Sequence, residues 1–244
     1  MKAIAIEAYG GPEQLRLMDL PVPVPGDDEV LIELVCTSVN PVDWKIREGQ
    51  LKDRLPNVFP IIPGWDAAGT VKAVGANVTR FQGGERVFAY CRKPTIQWGT
   101  YAEYVTMEAR HVALMPKNLS FAQAAAIPLT TLTAWQSLFD RACLGSGQTV
   151  LIHAGAGGVG GMAIPLARHV GAKVYATASR VNHEYVRGRG AAHVIDYTSE
   201  NFVDAIRRLE PDGVDVVYDT VGAAVYHASF AALKRGGFIV SIRE

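Results

Sequence analysis

Residues 153–161 read HAGAGGVGG and carry the clearest chemical signal in the chain. Gly155, Gly157 and Gly160 form a G-x-G-x-x-G motif between a predicted strand, TVLIHAG, and a predicted helix. Glycines at this spacing let the backbone approach a pyrophosphate, and the N-terminus of the helix adds N–H donors and a partial positive charge. The motif predicts a dinucleotide site formed by Gly155, Gly157, Gly158, Val159 and Gly160. The alternative is a glycine-rich turn that only lets a helix pack closely on a strand.

The end of the next predicted strand indicates which dinucleotide would bind. An NAD site usually carries an acid there for the ribose hydroxyls, yet no Asp or Glu occurs from Gly161 through His183. The strand runs instead into Ser179 and Arg180, and a guanidinium suits the 2′-phosphate of NADPH. We therefore expect NADPH, with Tyr197 at the end of the third strand as a further donor. The alternative for Arg180 is a solvated surface charge.

A second stretch, PIIPGWDAAGTV at residues 60–71, has the shape of a loop that presents metal ligands. Its candidate positions hold Trp65, whose indole nitrogen only donates, and Asp66. Zinc needs three protein ligands even in a catalytic site, so Asp66 by itself does not suffice. The three cysteines are far apart and form no C-x₂-C pair, which predicts neither a zinc knot nor a disulfide framework. We expect no metal.

The elements that must position these residues fall into two predicted domains, 1–121 and 122–244. The first reads as many short strands separated by turns, which is typical of a barrel or sandwich. One helix is predicted at NPVDWKIREG, with Asn40 as its N-cap. A second is predicted after Ser120, which forms an S-x-x-Q capping box with Gln123. The second domain alternates short apolar strands with helices, which predicts a doubly wound parallel sheet. Its last predicted elements are a strand at VDVVYDTVG, ending near Val221, a helix at VYHASFAALKRGG and a strand at FIVSI. Ligands bind at the carboxyl ends of such strands, so we expect the cofactor to be faced by Val221, Gly222, Ser241 and Ile242.

The overall composition excludes several classes of protein. The 244 residues carry 24 basic and 24 acidic side chains, which argues against a nucleic-acid-binding protein. No apolar run reaches the roughly 18 residues of a membrane span. Glu7 interrupts what would be the core of a signal peptide. We therefore expect a cytoplasmic protein with reduced thiols.

The ordered segments VNPVDWKIREG, PIIPGWDAAGTV, GTYAEYV, IPLTTLTAWQSL and HAGAGGVGG resemble the medium-chain dehydrogenase/reductase superfamily over essentially the whole chain. The nearest resemblance is to its zinc-free, zeta-crystallin-like quinone oxidoreductase branch. It implies an N-terminal GroES-like β-barrel and a Rossmann domain. Zinc-dependent members carry a Cys at the position of Asn40, G-H-E at 64–66 and a four-Cys lobe, none of which this chain has. Members also continue past the fifth strand, so the resemblance implies a C-terminally incomplete sheet and a homodimer in the full-length form.

The resemblance also suggests site residues. It places Asn40 near the nicotinamide as the catalytic group that donates to a substrate oxygen or to a water; a plain helix cap is the alternative. Lys45 stands where relatives often carry a cofactor-contacting Tyr. Thr130 is expected at the carboxamide, unless it merely caps a helix. Trp44 and Trp65 are expected to wall the substrate pocket, with a place in the core as the alternative.

With no Lewis acid expected, the hydride acceptor must itself spread the arriving negative charge. Quinones and α,β-unsaturated carbonyls do so. The sequence therefore predicts an NADPH-dependent, metal-free oxidoreductase acting on a small quinone or enone. The alternatives are a non-enzymatic NADPH-binding protein of the same fold and an enoyl reductase of a biosynthetic pathway.

Overall fold

The computed structural model describes residues 1–243, and the chain divides into two compact units, Met1–Leu129 and the residues from Thr130 onward. Glu244, the last residue of the second predicted domain, lies outside the described residues. The functional boundary after residue 121 stays a prediction, because a functional domain need not end where contacts become sparse.

The first unit is built mainly from strands. They are β1 (Lys2–Ala5), β2 (Arg16–Asp19), β3 (Glu29–Cys36), β4 (Asn57–Ile62), β5 (Asp66–Val74), β6 (Arg86–Tyr90), β7 (Ile96–Trp98), β8 (Tyr104–Glu108) and β9 (Val112–Leu114). Its helices are α1 (Pro41–Arg47) and α2 (Phe121–Ala125), with 3₁₀ turns at Pro12–Gln14 and Ala109–His111. A five-stranded antiparallel sheet has the order β8-β3-β5-β6-β9, beside a β1-β2 hairpin and a parallel β4-β7 pair.

The core of this unit follows from the alternation of side chains along its strands. Val30 and Ile32 on β3 are fully buried, as residues two apart on one strand face should be. They pack in one cluster with Val71 of β5 and Val87 of β6. The apolar face of the antiparallel sheet therefore forms the interior.

Both helices of the first unit begin and end where the sequence predicts. Asn40 is the N-cap of α1, Pro41 takes the first helical position, and Gly49 lies just beyond the end with φ +75°. Ser120 and Gln123 form the predicted capping box of α2. The helix predictions at these two places are confirmed.

The second unit is an alternation of strands and helices. Its helices are α3 (Pro128–Trp135, beginning two residues before the unit), α4 (Gly158–His169), α5 (His183–Arg189), α6 (Phe202–Leu209) and α7 (Ala223–Ser229). Its strands are β10 (Thr149–Ile152), β11 (Lys173–Thr177), β12 (His193–Ile195), β13 (Val214–Asp219) and β14 (Leu233–Ser241). A π-helical turn at Gln136–Arg141 extends α3, and 3₁₀ turns lie at Arg180–Asn182 and Phe230–Ala232. The strands form one parallel sheet in the order β12-β11-β10-β13-β14.

This order places the first strand of the unit, β10, in the centre of the sheet. The strands β11 and β12 are added on one side of it and β13 and β14 on the other, as in doubly wound folds. Helices cover both faces, so the central strands are buried on both sides. Leu151 of β10 packs in one cluster, while its neighbours Val150 and Ile152 pack in another. The predicted parallel sheet is confirmed.

The last helix and strand differ from the sequence prediction. A helix was expected through VYHASFAALKRGG, but α7 ends at Ser229 and Leu233 already pairs with Val214. The residues between Leu233 and Phe238 form a bulge of the ladder, with Gly236 at φ +79°. The expected strand end at Val221 is also too late, since β13 stops at Asp219. Within residues 1–243, no helix has both the length and the apolar character that crossing a bilayer requires.

Candidate functional site

The glycine loop joins the end of β10 to the start of α4. Gly157 is the N-cap of α4, and the helix begins at Gly158. Ala154 has the left-handed φ of +50°, which reverses the chain after the strand. The N–H of Gly155 donates to the carbonyl oxygen of Thr177 at 2.9 Å, and the N–H of Gly157 donates to that of Ala154 at 2.9 Å. The loop is thus a closed turn fixed to the neighbouring strand β11.

Close packing explains why two of the motif positions hold glycine. A Cβ at Gly160 would lie 2.3 Å from the carbonyl oxygen of Ala154, so only glycine lets the helix pack on the turn. A Cβ at Gly155 would lie 3.0 Å from the Cβ of Ala176. The first N–H groups of a helix have no acceptor within it. Those of Gly158, Val159 and Gly160 are therefore available to an anion, as the motif predicts.

Thr130 of α3 lies close to this loop. A Cβ at Gly158 would lie 3.2 Å from the methyl carbon of Thr130, so Thr130 packs against the loop. Thr131 Oγ1, on the next residue of α3, is buried and has no hydrogen-bond partner, which is uncommon for a buried hydroxyl. Sequence reasoning named Thr130 but missed Thr131. The only available signal was the Thr-Thr pair itself, in which helical phase decides which hydroxyl turns inward.

Ser179 and Arg180 follow the end of β11, and Tyr197 follows the end of the adjacent strand β12. Ser179 Oγ accepts a hydrogen bond from Asn182 Nδ2 at 3.0 Å. Arg180 is exposed, and 59% of the surface of Tyr197 is accessible. The carboxyl ends of adjacent parallel strands lie at one edge of a sheet, so the three side chains share that edge. Their contact with a phosphate stays a prediction.

A buried carboxylate, Asp219, organises the ends of the fourth and fifth strands. Its Oδ1 accepts from the N–H groups of Val221 at 2.9 Å and Gly222 at 3.0 Å. Its Oδ2 accepts from Ser241 Oγ at 2.9 Å, and its carbonyl accepts from the N–H of Ile242 at 3.2 Å. The structure therefore brings all four predicted residues together around one acid. Sequence reasoning missed Asp219, although an Asp at a strand end was a visible signal.

The first unit holds a second polar cluster, centred on Asp66, which is fully buried. Asp66 Oδ2 accepts from Asn40 Nδ2 at 2.8 Å and from the hydroxyl of Ser38. Its Oδ1 accepts from the N–H of Leu129 at 2.7 Å. Asn40 Nδ2 also donates to Ser38 Oγ at 3.0 Å, so both of its N–H bonds are engaged. Burial raises the pKa of Asp66 despite these donors.

Asp43 is a second buried carboxyl group in the same unit. Its Oδ2 accepts from the N–H of Asn40 at 2.7 Å and from the hydroxyl of Tyr101 at 3.0 Å. Burial raises the pKa of Asp43, and the nearby charge of Asp66 raises it further. The same two effects, with Asp43 as the neighbouring charge, raise the pKa of Tyr101. Gly64 allows this packing, because a Cβ there would lie 2.4 Å from Tyr101 Cδ1 and its φ is +90°.

Asn40 and Asp66, which stand where zinc-dependent members carry metal ligands, do not fit a zinc ion. Asn40 turns its amide N–H groups, which are donors, toward Asp66, and the oxygens of Asp66 are occupied by three donors. Nowhere in residues 1–243 are three or more His, Cys, Asp or Glu side chains grouped so that they could hold a metal. Among the residues that the structure describes, these side chains therefore do not present the three ligands that zinc requires.

The remaining predicted residues lie in two settings. Trp65 is 8% exposed and packs with Ile6 and Ile61, so it belongs to the core of the first unit. Trp44 on α1 is 39% exposed, with Lys45 Nζ 6.0 Å from its ring centroid. The structure therefore places Trp44 at the surface and Trp65 in the interior; their role in a substrate pocket stays a prediction.

Two family descriptions match the chain, one for each part of the fold. "Alcohol dehydrogenase GroES-like domain" matches residues 26–117, and "Zinc-binding dehydrogenase" matches residues 158–242. Together with the parallel sheet of the second unit, these matches confirm the predicted fold class, a GroES-like domain followed by a Rossmann domain. The second description names zinc, although no group of zinc ligands is found within residues 1–243.

Individual relatives agree with these descriptions. The 2-methylene-furan-3-one reductase of Solanum lycopersicum is 41% identical over 98% of this chain and 61% of its own length. The chloroplastic NADPH-dependent alkenal/one oxidoreductase of Arabidopsis thaliana is 40% identical over 99% of this chain and 62% of its own length. The structure of Escherichia coli quinone oxidoreductase complexed with NADPH superimposes with a TM-score of 0.87, at 31% identity over 99% of this chain and 72% of that one.

The chain belongs to the medium-chain dehydrogenase/reductase superfamily, on its quinone oxidoreductase branch. It spans about three fifths of the length of the two plant relatives.

Proposed function

We propose that the protein is an NADPH-dependent oxidoreductase that transfers a hydride to a quinone or to an α,β-unsaturated carbonyl compound. The observation that carries the proposal is the glycine loop, in which a closed turn presents the unbonded N–H groups of α4 beside a strand end that bears Arg180 and no acid. The names of the relatives, which include an NADPH-dependent alkenal/one reductase and a quinone oxidoreductase, support it.

The cofactor would be held along the carboxyl edge of the second unit's sheet. Its pyrophosphate would accept hydrogen bonds at the loop, and Ser179, Arg180 and Tyr197 would bind the 2′-phosphate. We propose that Thr130, which packs against the loop, contacts the carboxamide of the nicotinamide, and that the unpartnered hydroxyl of Thr131 beside it is a further candidate. We propose further nicotinamide contacts from Val221, Gly222, Ser241 and Ile242, all fixed by Asp219, and a phosphate or ribose contact from Lys45.

When bound, NADPH supplies the hydride. The protein's part is to orient the acceptor and to stabilise the negative charge that develops on its oxygen. Asn40 is the group we propose for this. To donate to a substrate oxygen, one of its N–H bonds must leave its present partner. The bond to Ser38, at 3.0 Å, is longer than the bond to Asp66, at 2.8 Å, so we expect the Ser38 bond to be exchanged while Asp66 keeps the amide oriented.

Quinones and enones fit such a site because they delocalise the incoming charge. Asn40 and Asp66 are hydrogen-bonded to one another instead of presenting metal ligands, so the proposed hydride transfer uses no metal. Trp44, half-exposed on α1, offers an aromatic surface on which a flat substrate would pack.

Oxidation of NADPH, followed by its absorbance, tests the proposal. We expect turnover with an ortho-quinone, a small enal, or both, and a lower kcat in Asn40→Ala. Tight NADPH binding without turnover of either substrate would refute the reductase and favour a non-enzymatic NADPH-binding protein. Turnover only with a carrier-bound enoyl thioester would favour an enoyl reductase.

We also propose a homodimer and a cytoplasmic location, with a small molecule as the only substrate class and with neither nucleic acid nor membrane as partner. Sedimentation of the purified protein tests the dimer, and fractionation of cells tests the location.

A further inference from the structure

His153, the residue before the glycine loop, is almost completely buried, with 1% of its surface exposed. Its Nδ1 lies 3.3 Å from Thr177 Oγ1 at the end of β11, and its Nε2 lies 3.0 Å from Ser229 Oγ of α7. The ring of Phe202 packs edge-on against it at 4.7 Å between centroids. The imidazole therefore joins three elements behind the loop.

The partners of these two hydroxyls fix the direction of each hydrogen bond. Ser229 Oγ donates to the carbonyl oxygen of Val225 at 2.7 Å, so it is an acceptor toward His153 Nε2. Thr177 Oγ1 accepts from the N–H of Ala154 at 3.1 Å and has its own hydrogen to give to Nδ1. One tautomer of His153, neutral and protonated at Nε2, gives every group in this series of hydrogen bonds a matching donor or acceptor. Burial lowers the pKa of His153 to about 4, which agrees with a neutral ring.

Ala154, at the other end of this series of hydrogen bonds, has a strained backbone conformation. Ala154 has a φ of +50°, a value that residues other than glycine, Asn and Asp rarely adopt. Its carbonyl oxygen accepts the N–H of Gly157 at 2.9 Å and lies beneath Gly160. A change in the conformation of Ala154 would therefore displace the turn that presents the N–H groups of α4.

We propose that His153, as the Nε2–H tautomer, is a positioning residue of the dinucleotide loop, and that it acts through the Thr177 hydroxyl to hold Ala154 in the left-handed conformation. The proposal rests on the proposed function in one respect, that NADPH is the ligand of this loop. His153 touches neither cofactor nor substrate in this role; it fixes the shape of the turn.

Thr177→Val tests the chain, because it removes the hydroxyl and keeps the shape of the side chain. If the loop is then in its binding conformation only about a tenth of the time, the apparent Kd for NADPH rises about tenfold. Thr177→Ser keeps the hydroxyl and should restore binding to within about twofold. Thr149→Val is the matched control: Thr149 Oγ1 donates to Asp215 at the opposite end of β10, so this variant should change stability and leave the Kd unchanged.

A second substitution separates positioning from a general loss of stability. Glycine adopts a φ near +50° without strain. The double variant Thr177→Val with Ala154→Gly should therefore recover most of the affinity that Thr177→Val loses. A general destabilisation would not be repaired in this way. Thr177→Val with unchanged affinity, or a double variant no better than the single one, would overturn the proposal.

The tautomer can be read in the unsubstituted protein, whether or not NADPH binds and whether or not the variants fold. Long-range ¹H–¹⁵N correlation spectra distinguish a protonated Nε2 from a protonated Nδ1. We expect Nε2–H and a bare Nδ1 at neutral pH. A His153 protonated at Nδ1, or at both nitrogens, would overturn the proposal, whereas failure of the protein to bind NADPH would overturn the proposed function and leave this result standing.

Discussion

Replacing Gly160 by alanine tests the loop geometry most sharply. The added Cβ would lie 2.3 Å from the carbonyl oxygen of Ala154 and 3.0 Å from the Cα of Gly155. Both are backbone atoms of a turn that hydrogen bonds hold on two sides, so the obstacle cannot rotate away as a side chain would. We expect Gly160→Ala to destabilise the second unit and to weaken NADPH binding.

The size of the effect follows from two opposing contributions. Overpacking costs about 1–3 kcal/mol, and a rigid backbone obstacle puts this site at about 3 kcal/mol. Alanine in place of glycine within a helix returns about 1 kcal/mol. The net loss is about 2 kcal/mol, or a fall in Tm of roughly 4–8 °C for a chain of this size.

Gly161→Ala is the matched control in the next position of the same helix. There the nearest atoms to a new Cβ are the hydroxyl oxygen of Tyr185 at 3.2 Å, which sits at the end of a half-exposed side chain, and the carbonyl oxygen of Gly155 at 3.8 Å. The helix propensity of alanine should therefore leave the Tm unchanged or raise it. Thermal unfolding followed by circular dichroism measures both. A Tm of Gly160→Ala equal to or above that of Gly161→Ala would refute the close packing of helix on turn.

Two predictions concern the first unit. Burial raises the pKa of Asp43, so the folded state favours its neutral form; this contribution to stability is present at acidic pH and is lost as the pH rises through the raised pKa. Asp43→Asn should therefore reduce the difference in Tm between about pH 4 and about pH 8, and an unchanged difference would show that Asp43 is not its source. Gly64→Ala should cost about 1–3 kcal/mol in urea unfolding, because of its φ of +90° and the clash with Tyr101. Gly83→Ala, where a Cβ meets nothing within 4 Å, is the control, and equal costs in the two variants would contradict this account.

Local rules predicted the second unit well. Strand–helix alternation, the glycine motif and the capping residues all depend on neighbours a few positions apart, so the sequence shows them directly. The glycines that end helices are an example: Gly171 follows α4 at φ +85° and Gly190 follows α5 at φ +115°. The end of the unit was less predictable, because a bulge in β14 depends on the register with β13.

The first unit was harder to predict because its contacts are far apart in the sequence. β4 and β7 pair in parallel across more than thirty residues, and neither was predicted. The same holds for the polar cluster, in which Asp66 bonds to Ser38, Asn40 and Leu129. The sequence showed that Asn40 and Asp66 stand where zinc-dependent relatives carry metal ligands. The hydrogen bond between the two side chains became visible only in the folded chain.

The choice of dinucleotide is the central claim, and one binding measurement tests it most directly. Titrating the protein and its Arg180→Asp variant with NADPH and with NADH gives four dissociation constants. A hydrogen bond to a charged group contributes about 1.5–3 kcal/mol, so we expect the variant to lose at least about tenfold in affinity for NADPH and almost none for NADH. Equal losses for both dinucleotides, or an unsubstituted protein that binds NADH as tightly as NADPH, would contradict the account.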